Sequence, residues 1–453
     1  MLKKNDKIVV EIIDNGINFE GIAKIDGYVI FVPFAIKGEK VEIVIIKANK
    51  NFAIGKILNI INKSKYRVIP DCKIYGKCGS CNTLHIDYNY ELEIKKNNLI
   101  NTFKKQGIDV KDVNLIGMGN VYNYRNKVSY PVREINGVNK IGFFRNNSHD
   151  IVLNEDCHIQ NEEIDILAKK VFDKLLSLKF TMYNEENHKG DIKHIILKRG
   201  YNTHEILLAI VVNHDKLINN DKFKQLACLD NNIKSINLNV NMNKTNEILG
   251  SKTINIYGNE YITEILGDKL YYISTTSFFQ VNTVGAEMLY FKLKEMLDLN
   301  KKDILFDLYS GVGSIGIFLS DNVDKVYGIE IVKEAVDMAN LNIARNNITN
   351  CEYIAGSVED KIIEFEKRNI KPSVIVVDPP RRGLDNDSIN HILKFNPDKI
   401  GYVSCNVSTL ARDIKLLQKN YNIKSVCIVD LFPNTHHFET ICVLERKGVN
   451  YEK

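Results

Sequence analysis

The side chains best placed for chemistry in this 453-residue chain are a thiol and a carboxylate near its C-terminal end. Cys405 stands in Tyr402-Val-Ser-Cys-Asn-Val-Ser, just after a short apolar run, and Glu439 opens Glu439-Thr-Ile-Cys-Val-Leu-Glu. The first run reads as a strand of a parallel sheet with Cys405 at its carboxyl end. If the second strand returns antiparallel, as a hairpin through Pro433-Asn434 suggests, Glu439 arrives at the same edge. A thiol facing a carboxylate suits substitution at carbon 5 of a pyrimidine. That carbon is too weak a nucleophile to take a methyl group unaided, so a thiolate must first add at carbon 6. A carboxylate must then remove the proton at carbon 5 so that the thiolate can leave. The attacking species is the thiolate, so a donor or positive charge is expected beside Cys405. Taken alone, Cys405 reads more readily as a buried strand-end cysteine, which is the expectation for Cys228, Cys351, Cys427 and Cys442.

A ligand pocket is written upstream. Asp307-Leu-Tyr-Ser-Gly311-Val-Gly313-Ser-Ile-Gly316 follows one apolar run and opens a helix, and Glu330 ends the next run. Glycines permit close backbone approach and the acid can hold ribose hydroxyls. This spacing leaves NAD and S-adenosylmethionine open, and with them an NAD-dependent oxidoreductase. Asp378-Pro-Pro-Arg381-Arg-Gly lies at the carboxyl end of a further run, the edge where open α/β sheets bind ligands. Its prolines stiffen the loop and withhold backbone N–H groups. Amino-group methyltransferases end a similar tetrapeptide with an aromatic ring, whereas Arg381 stands here, which disfavours an amino-nitrogen target.

Nine cysteines in a chain with no secretory signal argue against a disulfide framework. Cys72, Cys78 and Cys81 crowd into ten residues, and Cys157 can complete a set of four. Such a set suits zinc or an iron–sulfur cluster, and the spacing leaves the two open.

These groups need several elements to position them, and the length predicts two or three domains. Residues 7–60 show short β-rich runs separated by turns such as Asp14-Asn-Gly, which predict a small barrel or sandwich. Residues 1–67 hold 12 Lys/Arg against 7 Asp/Glu, matching the whole net charge of +5, a plausible footprint for nucleic acid. Bases interleaved with Phe52 along 47–56 resemble single-strand RNA-binding barrels of the oligonucleotide-binding type. A helix is expected over 89–106. An irregular region follows, its clearest strands starting at His194, Glu205 and Ser235. From Phe278 onward strand and helix alternate, which predicts a parallel sheet covered on both faces. No apolar run reaches the roughly 18 residues of a membrane span, so no membrane partner and a cytoplasmic location are expected.

In order along the chain, Phe278-Phe-Gln280-Val-Asn, Asp307-Leu-Tyr309-Ser-Gly-Val-Gly, Gly328-Ile-Glu330, Asp378-Pro-Pro-Arg-Arg-Gly, Ser404-Cys405-Asn and His437-Phe-Glu439 are similar to the motifs of one family. The chain resembles the RNA 5-methyluridine methyltransferases, in particular the branch that modifies 23S ribosomal RNA and carries a TRAM barrel and an iron–sulfur cluster. The resemblance implies a multidomain α/β protein. Residues 1–65 would form the TRAM-like β-barrel, 66–275 a central α+β domain with the cysteine cluster, and 276–453 a Rossmann-like methyltransferase domain. It implies that Gln280, Tyr309, Glu330 and Asp378 bind S-adenosylmethionine, with Ser314 and Ser357 assisting, that Cys405 is the nucleophile and that Glu439 is the base. It further implies a 4Fe-4S cluster on Cys72, Cys78, Cys81 and Cys157, and an RNA-facing segment at Tyr124-Arg-Asn-Lys127. One departure is Ser80, where the family often has a second glycine between cysteines. The expected partner is RNA, 23S ribosomal RNA ahead of transfer RNA, acted on by a monomer with no obligate protein partner. Cytosine-directed enzymes usually place their nucleophile after a proline, and Ser404 precedes Cys405.

Overall fold

The computed structural model describes residues 2–146, 148–153 and 156–448. In Lys40–Ala48, Val41, Ile43 and Ile45 are buried while their neighbours face outward, the period of a half-buried strand. This strand joins Lys7–Glu11, Asp14–Asn15, Gly21–Ile25, Tyr28–Val32 and Phe52–Asn62 in a six-stranded sheet. Its two edge strands are consecutive parts of one chain run. Ile12 N–H donates to Glu39 O at 2.9 Å, and Ile13 N–H donates to Ile22 O at 2.8 Å. The sheet therefore turns back on itself around Ile30, Val32, Val41, Ile43 and Ile45.

A second six-stranded sheet occupies the middle of the chain, in the order Lys252–Gly258, Ile233–Val240, Ile206–Val212, Ile192–Arg199, Lys127–Ile135, Val138–Ile141. Because side chains alternate across a strand, Val128, Tyr130, Val132, Ile195 and Leu197 share one face. That face packs on the amphipathic helix Glu162–Ser177. The opposite face carries Ser129, His194, Lys198, Asn237 and Asn239.

The third sheet has eight strands, in the order Cys351–Ala355, Lys325–Glu330, Ile304–Leu308, Val374–Val377, Lys399–Ser404, Glu439–Arg446, Tyr421–Val429, Val113–Ile116. Only Glu439–Arg446 runs against the others. Helices such as Thr283–Leu297 and Val407–Leu417 cover both faces, so its strands are continuous apolar runs. Val113–Ile116 comes from the segment between the other units and pairs parallel with Tyr421–Val429. The helix Tyr88–Lys105 follows it onto this core through Leu99 and Phe103. Of the four cysteines expected to be buried, Cys427 and Cys442 are, Cys351 is half-buried at the start of its strand, and Cys228 departs furthest. Cys228 is exposed at the end of the 3-10 helix Asp221–Leu229, where its thiol donates to Gln225 O. No apolar strand or helix face needs it there. No described helix is long and apolar enough to cross a membrane.

Helix Tyr88–Lys105 carries a fully buried cation against the catalytic unit. Lys95 Nζ lies 2.6 Å from Glu91 Oε1 and 2.8 Å from Asp430 Oδ1. Tyr88 donates its hydroxyl to Asp430 at 3.0 Å, and Thr83 donates to Glu91 at 2.8 Å. Burial drives the Glu91 carboxyl up to about 7, against the pull of Lys95. Removing one partner of such a set strands the others without water or counter-charge. Lys95→Met should therefore destabilise the catalytic unit by about 3–5 kcal/mol, read as a lowered midpoint in chemical denaturation.

Candidate active site

The glycine loop leaves strand Ile304–Leu308 through Tyr309, a non-glycine residue at φ +61°. That conformation is uncommon outside glycine and collects at functional turns. The Tyr309 hydroxyl lies 2.8 Å from Ser388 Oγ, which anchors the ring. Gly316 N–H donates to Asp307 Oδ2 at 2.9 Å, and a Cβ at Gly316 would stand 2.7 Å from that oxygen. Only glycine lets helix Ser314–Leu319 approach the strand so closely. Glu330 ends the neighbouring strand. Gly311 N–H donates to its Oε2 at 3.0 Å and Val332 N–H to its Oε1 at 2.9 Å, which holds the carboxylate at the sheet edge.

Cys405 and Glu439 meet through strand register. Ser404 is paired with Thr440 in the antiparallel ladder, so the next position sets Cys405 opposite Glu439. Asp378 follows Val377, which pairs with Tyr402 on the other side of the same strand. Gln280, Tyr309, Ser314, Glu330, Ser357, Asp378, Cys405 and Glu439 all line one cleft of about 620 Å³, within the usual range for a small-molecule site. Gln280 precedes Asn282, the N-cap of helix Thr283–Leu297, and its backbone oxygen accepts from Asn126 Nδ2 at 3.2 Å. Ser314 Oγ lies 3.0 Å from the Tyr290 hydroxyl. Ser357 caps helix Val358–Lys367 by accepting from Asp360 N–H.

Carboxylates dominate the cleft's electrostatics. Burial lifts Asp307 and Asp378 to about 7 each. Burial and the neighbouring Asp378 hold Glu439 well above the usual carboxylate range, while Arg381 pulls it down. The Cys405 thiol is pushed up to about 11 by burial, then by Glu439 and Asp378, with Arg381 again opposing. Arg381 is thus the cation shared by the Cys405 thiol and the Glu439 carboxyl. Sequence reasoning saw it only as the residue replacing an aromatic ring; its side chain reaches His437 Nε2 at 3.4 Å. A second residue missed from sequence is Ser310, whose buried hydroxyl lines the cleft with no hydrogen-bond partner. Its place inside the glycine loop was the available signal. Phe278 stands at the same cleft with 68 % of its surface exposed.

Cys72, Cys78, Cys81 and Cys157 line a separate small cavity with Phe143 and Leu84. Burial raises Cys81 strongly, and Cys157 and Cys78 raise it further; burial brings Cys157 to about 11. Among the described residues no three His, Cys, Asp or Glu side chains are placed to hold a single metal ion. Tyr124-Arg-Asn-Lys127 is less open than expected. Tyr124 is buried and donates to Pro433 O at 2.9 Å, and buried Asn126 also donates to Thr283 Oγ1 at 3.0 Å. Both brace the catalytic unit, because their polar atoms complete backbone groups of its loops.

Comparison with known proteins agrees with this geometry. The family model described as tRNA (uracil-5-)-methyltransferase matches residues 87–447, and a TRAM domain model matches residues 3–58. An uncharacterized RNA methyltransferase of Clostridium acetobutylicum is 40% identical over 451 residues, covering 98% of both chains. One from Clostridium tetani is 40% identical over 450 residues, covering 99% of this chain and 98% of its own. Among solved structures, the Pyrococcus abyssi tRNA (uracil-54, C5)-methyltransferase in complex with S-adenosyl-L-homocysteine superposes with a TM-score of 0.77 at 26% identity. The match covers 96% of this chain and 99% of that one. These matches set aside the NAD-dependent oxidoreductase that the glycine spacing alone allowed. The chain belongs to the S-adenosylmethionine-dependent RNA uracil-5-methyltransferase family and carries an N-terminal TRAM domain.

Proposed function

We propose that the protein methylates carbon 5 of a uridine in 23S ribosomal RNA, with Cys405 as covalent nucleophile and Glu439 as base. The observation that carries this reading is the register that sets Cys405 opposite Glu439 at the rim of the glycine-loop cleft. S-adenosylmethionine, held by Gln280, Tyr309, Glu330 and Asp378 with help from Ser314 and Ser357, supplies an electrophilic methyl group. Cys405 gives its proton to solvent, its thiolate favoured by Arg381, and adds to carbon 6 of the ring; the displaced electron pair makes carbon 5 nucleophilic, so that it takes the methyl group and S-adenosylhomocysteine leaves. After carbon 5 is methylated, Glu439 takes its proton, the carbon 6–sulfur bond breaks and the ring double bond returns. The uridine must leave its stack to expose carbon 6 to the thiol, and the exposed Phe278 ring offers a surface beside the cleft. The RNA substrate implies a cytoplasmic enzyme, and one chain carries every group the reaction needs, so a monomer suffices.

Cys72, Cys78, Cys81 and Cys157 would hold a 4Fe-4S cluster. Four half-buried thiols around one cavity repel each other as thiolates, and a cationic cluster core relieves that repulsion. The methyl transfer moves no net electrons, so the cluster's role is structural. A second reading, transfer RNA as substrate, is favoured by the likeness to the Pyrococcus abyssi tRNA (uracil-54, C5)-methyltransferase.

Purified protein incubated with labelled S-adenosylmethionine and unmodified 23S ribosomal RNA or transfer RNA should place label in 5-methyluridine of the ribosomal RNA. Cys405→Ala should abolish it. Label in transfer RNA alone moves the substrate assignment, and label persisting in Cys405→Ala removes the nucleophile assignment. Glu439→Gln should slow turnover about 10²–10⁴-fold and accumulate a protein–RNA adduct on denaturing gels, because methylation can proceed while elimination cannot. Cys81→Ser should lose bound iron and sulfide and weaken RNA binding; an unaltered cluster absorption spectrum in that variant would refute the ligand set.

A further inference from the structure

A second cleft, of about 540 Å³, opens on the polar face of the central sheet. Its walls include Phe143, Phe144, Ser129, Pro131, His194 and Ser80. Phe143 and Ser80 also line the cysteine cavity, so the two spaces share a wall. That wall is knit by backbone pairing: Cys78 bridges Arg145, and Asn146 N–H donates to Lys77 O at 3.0 Å. Whatever holds the cysteine loop therefore also holds this cleft open.

Two polar groups on the cleft lack partners. His194 Nδ1 and Ser129 Oγ are both shielded from solvent and make no hydrogen bond, and His194 is only 6 % exposed. They project from the same sheet face, since His194 pairs with Pro131 and Ile196 pairs with Ser129. Burial, Arg133 and Lys193 push the His194 imidazole down to about 3, so the ring is neutral and carries one donor and one acceptor nitrogen. Buried polar atoms are ordinarily paired, and two unpaired ones on one cleft point to a ligand that supplies the partners. Phenylalanine walls ask for a flat ring. A neutral donor–acceptor pair at the base asks for the edge of a nucleobase rather than a charged group. Arg145 at the cleft and the Arg133 guanidinium 5.6 Å from the Phe144 ring suit a flanking phosphate.

We propose that this cleft binds an unstacked nucleotide of the RNA substrate, near the target uridine in sequence but distinct from it. The proposal rests on the uridine-methylating reading above. Proximity follows from strand Lys127–Ile135, which starts beside the catalytic cleft, where Asn126 bonds the Gln280 backbone. Ser129 stands three residues further on, about 10 Å at roughly 3.3 Å per residue. RNA that surrenders its target uridine to the catalytic cleft loses stacking at neighbouring positions, and the second cleft replaces it. The cluster's structural role then has a physical content, since its ligand loop forms one wall of an RNA-binding pocket.

The test uses the cluster-loaded enzyme with 23S ribosomal RNA and transfer RNA transcripts carrying 4-thiouridine or 6-thioguanosine, irradiated and mapped by mass spectrometry. The expected result is a crosslink in the peptide around Phe143–Arg145 from a position within a few nucleotides of the 5-methyluridine. Phe144→Ala should weaken RNA binding about tenfold and Ser129→Ala several-fold. In both variants the KM for RNA should rise by the same factor, while kcat and S-adenosylmethionine affinity stay at wild-type values. Methylation with no crosslink in that peptide, and both variants within twofold of wild-type RNA affinity, overturns the pocket. A crosslink there with no methyl transfer to either RNA leaves the pocket standing and removes the uridine reading. Failure to bind either RNA overturns both.

Discussion

Lys399–Ser404 and Glu439–Arg446 run antiparallel with Ser404 opposite Thr440, and everything the catalytic cleft can do depends on that register. In a wholly parallel sheet a residue that ends one strand and a residue that begins another lie at opposite edges. Reversing one strand brings Glu439, at a strand start, to the edge where Cys405 follows a strand end. The pairing also fixes which face each side chain takes, because a slip of one residue sends every side chain of a strand to the other face. Tyr421–Val429 holds the reversed strand from its far side, with Val429 opposite Glu439. The catalytic pair is thus set by two ladders of backbone hydrogen bonds, which resist displacement better than a pair carried on loops.

That geometry concentrates acid in a small volume. Asp307, Asp378 and Glu439 line the same cleft and all three are lifted from their ordinary range, chiefly by burial. A dinucleotide's pyrophosphate would enter such a cleft against three carboxylates, with the glycine-loop N–H groups and the rim arginines Arg381 and Arg382 as its favourable partners. A sulfonium donor enters as a cation, which these acids favour once charged. The glycine loop therefore selects its ligand class through what surrounds it rather than through its own spacing. Burial first, and then Glu439 and Asp378, push the Cys405 thiol up as well. Arg381, opposing the field at both thiol and base, is the group through which the chain itself can relax it.

Much of this was legible in the sequence, for local reasons. Lys325–Glu330 and Lys399–Ser404 form the strands read from their short apolar runs, and Glu439 starts its strand as expected. Buried parallel strands advertise themselves as continuous hydrophobic stretches, and the chemistry-bearing residues sit one position beyond them. What was not legible depends on distant chain. Val113–Ile116 is too short to announce its partner, which lies some 310 residues away in sequence and completes an edge of the catalytic sheet. Glu91 and Lys95 look like a solvated i,i+4 pair on a helix, and only the arrival of Asp430 makes them a buried cluster. Tyr124 and Asn126 read as an RNA-facing segment only through the family resemblance, because nothing local distinguishes them from a solvated strand entry. Their partners, Pro433 O and Thr283, come from the other unit.

Those late-arriving partners share one destination, the stretch from Asp430 to Phe438 that delivers Glu439. Asn82 and Thr83, just beyond Cys81, donate backbone N–H groups to Asn434 O at 3.2 and 3.4 Å, and His436 N–H returns a bond to Asn82 Oδ1 at 2.9 Å. Asn434 N–H donates to buried Glu91, and Tyr124 donates to Pro433 O. The loop carries His437 against Arg381, so its position bears on a cation that opposes the cleft's acids at Cys405 and Glu439. A loop of nine residues would ordinarily sample many conformations, and Leu431, Phe432 and Phe438 anchor this one in the apolar cores. Here the helix Tyr88–Lys105, the cysteine loop and the entry to strand Lys127–Ile135 each remove some of that freedom. The units outside the eight-stranded sheet thus hold the segment that places Glu439.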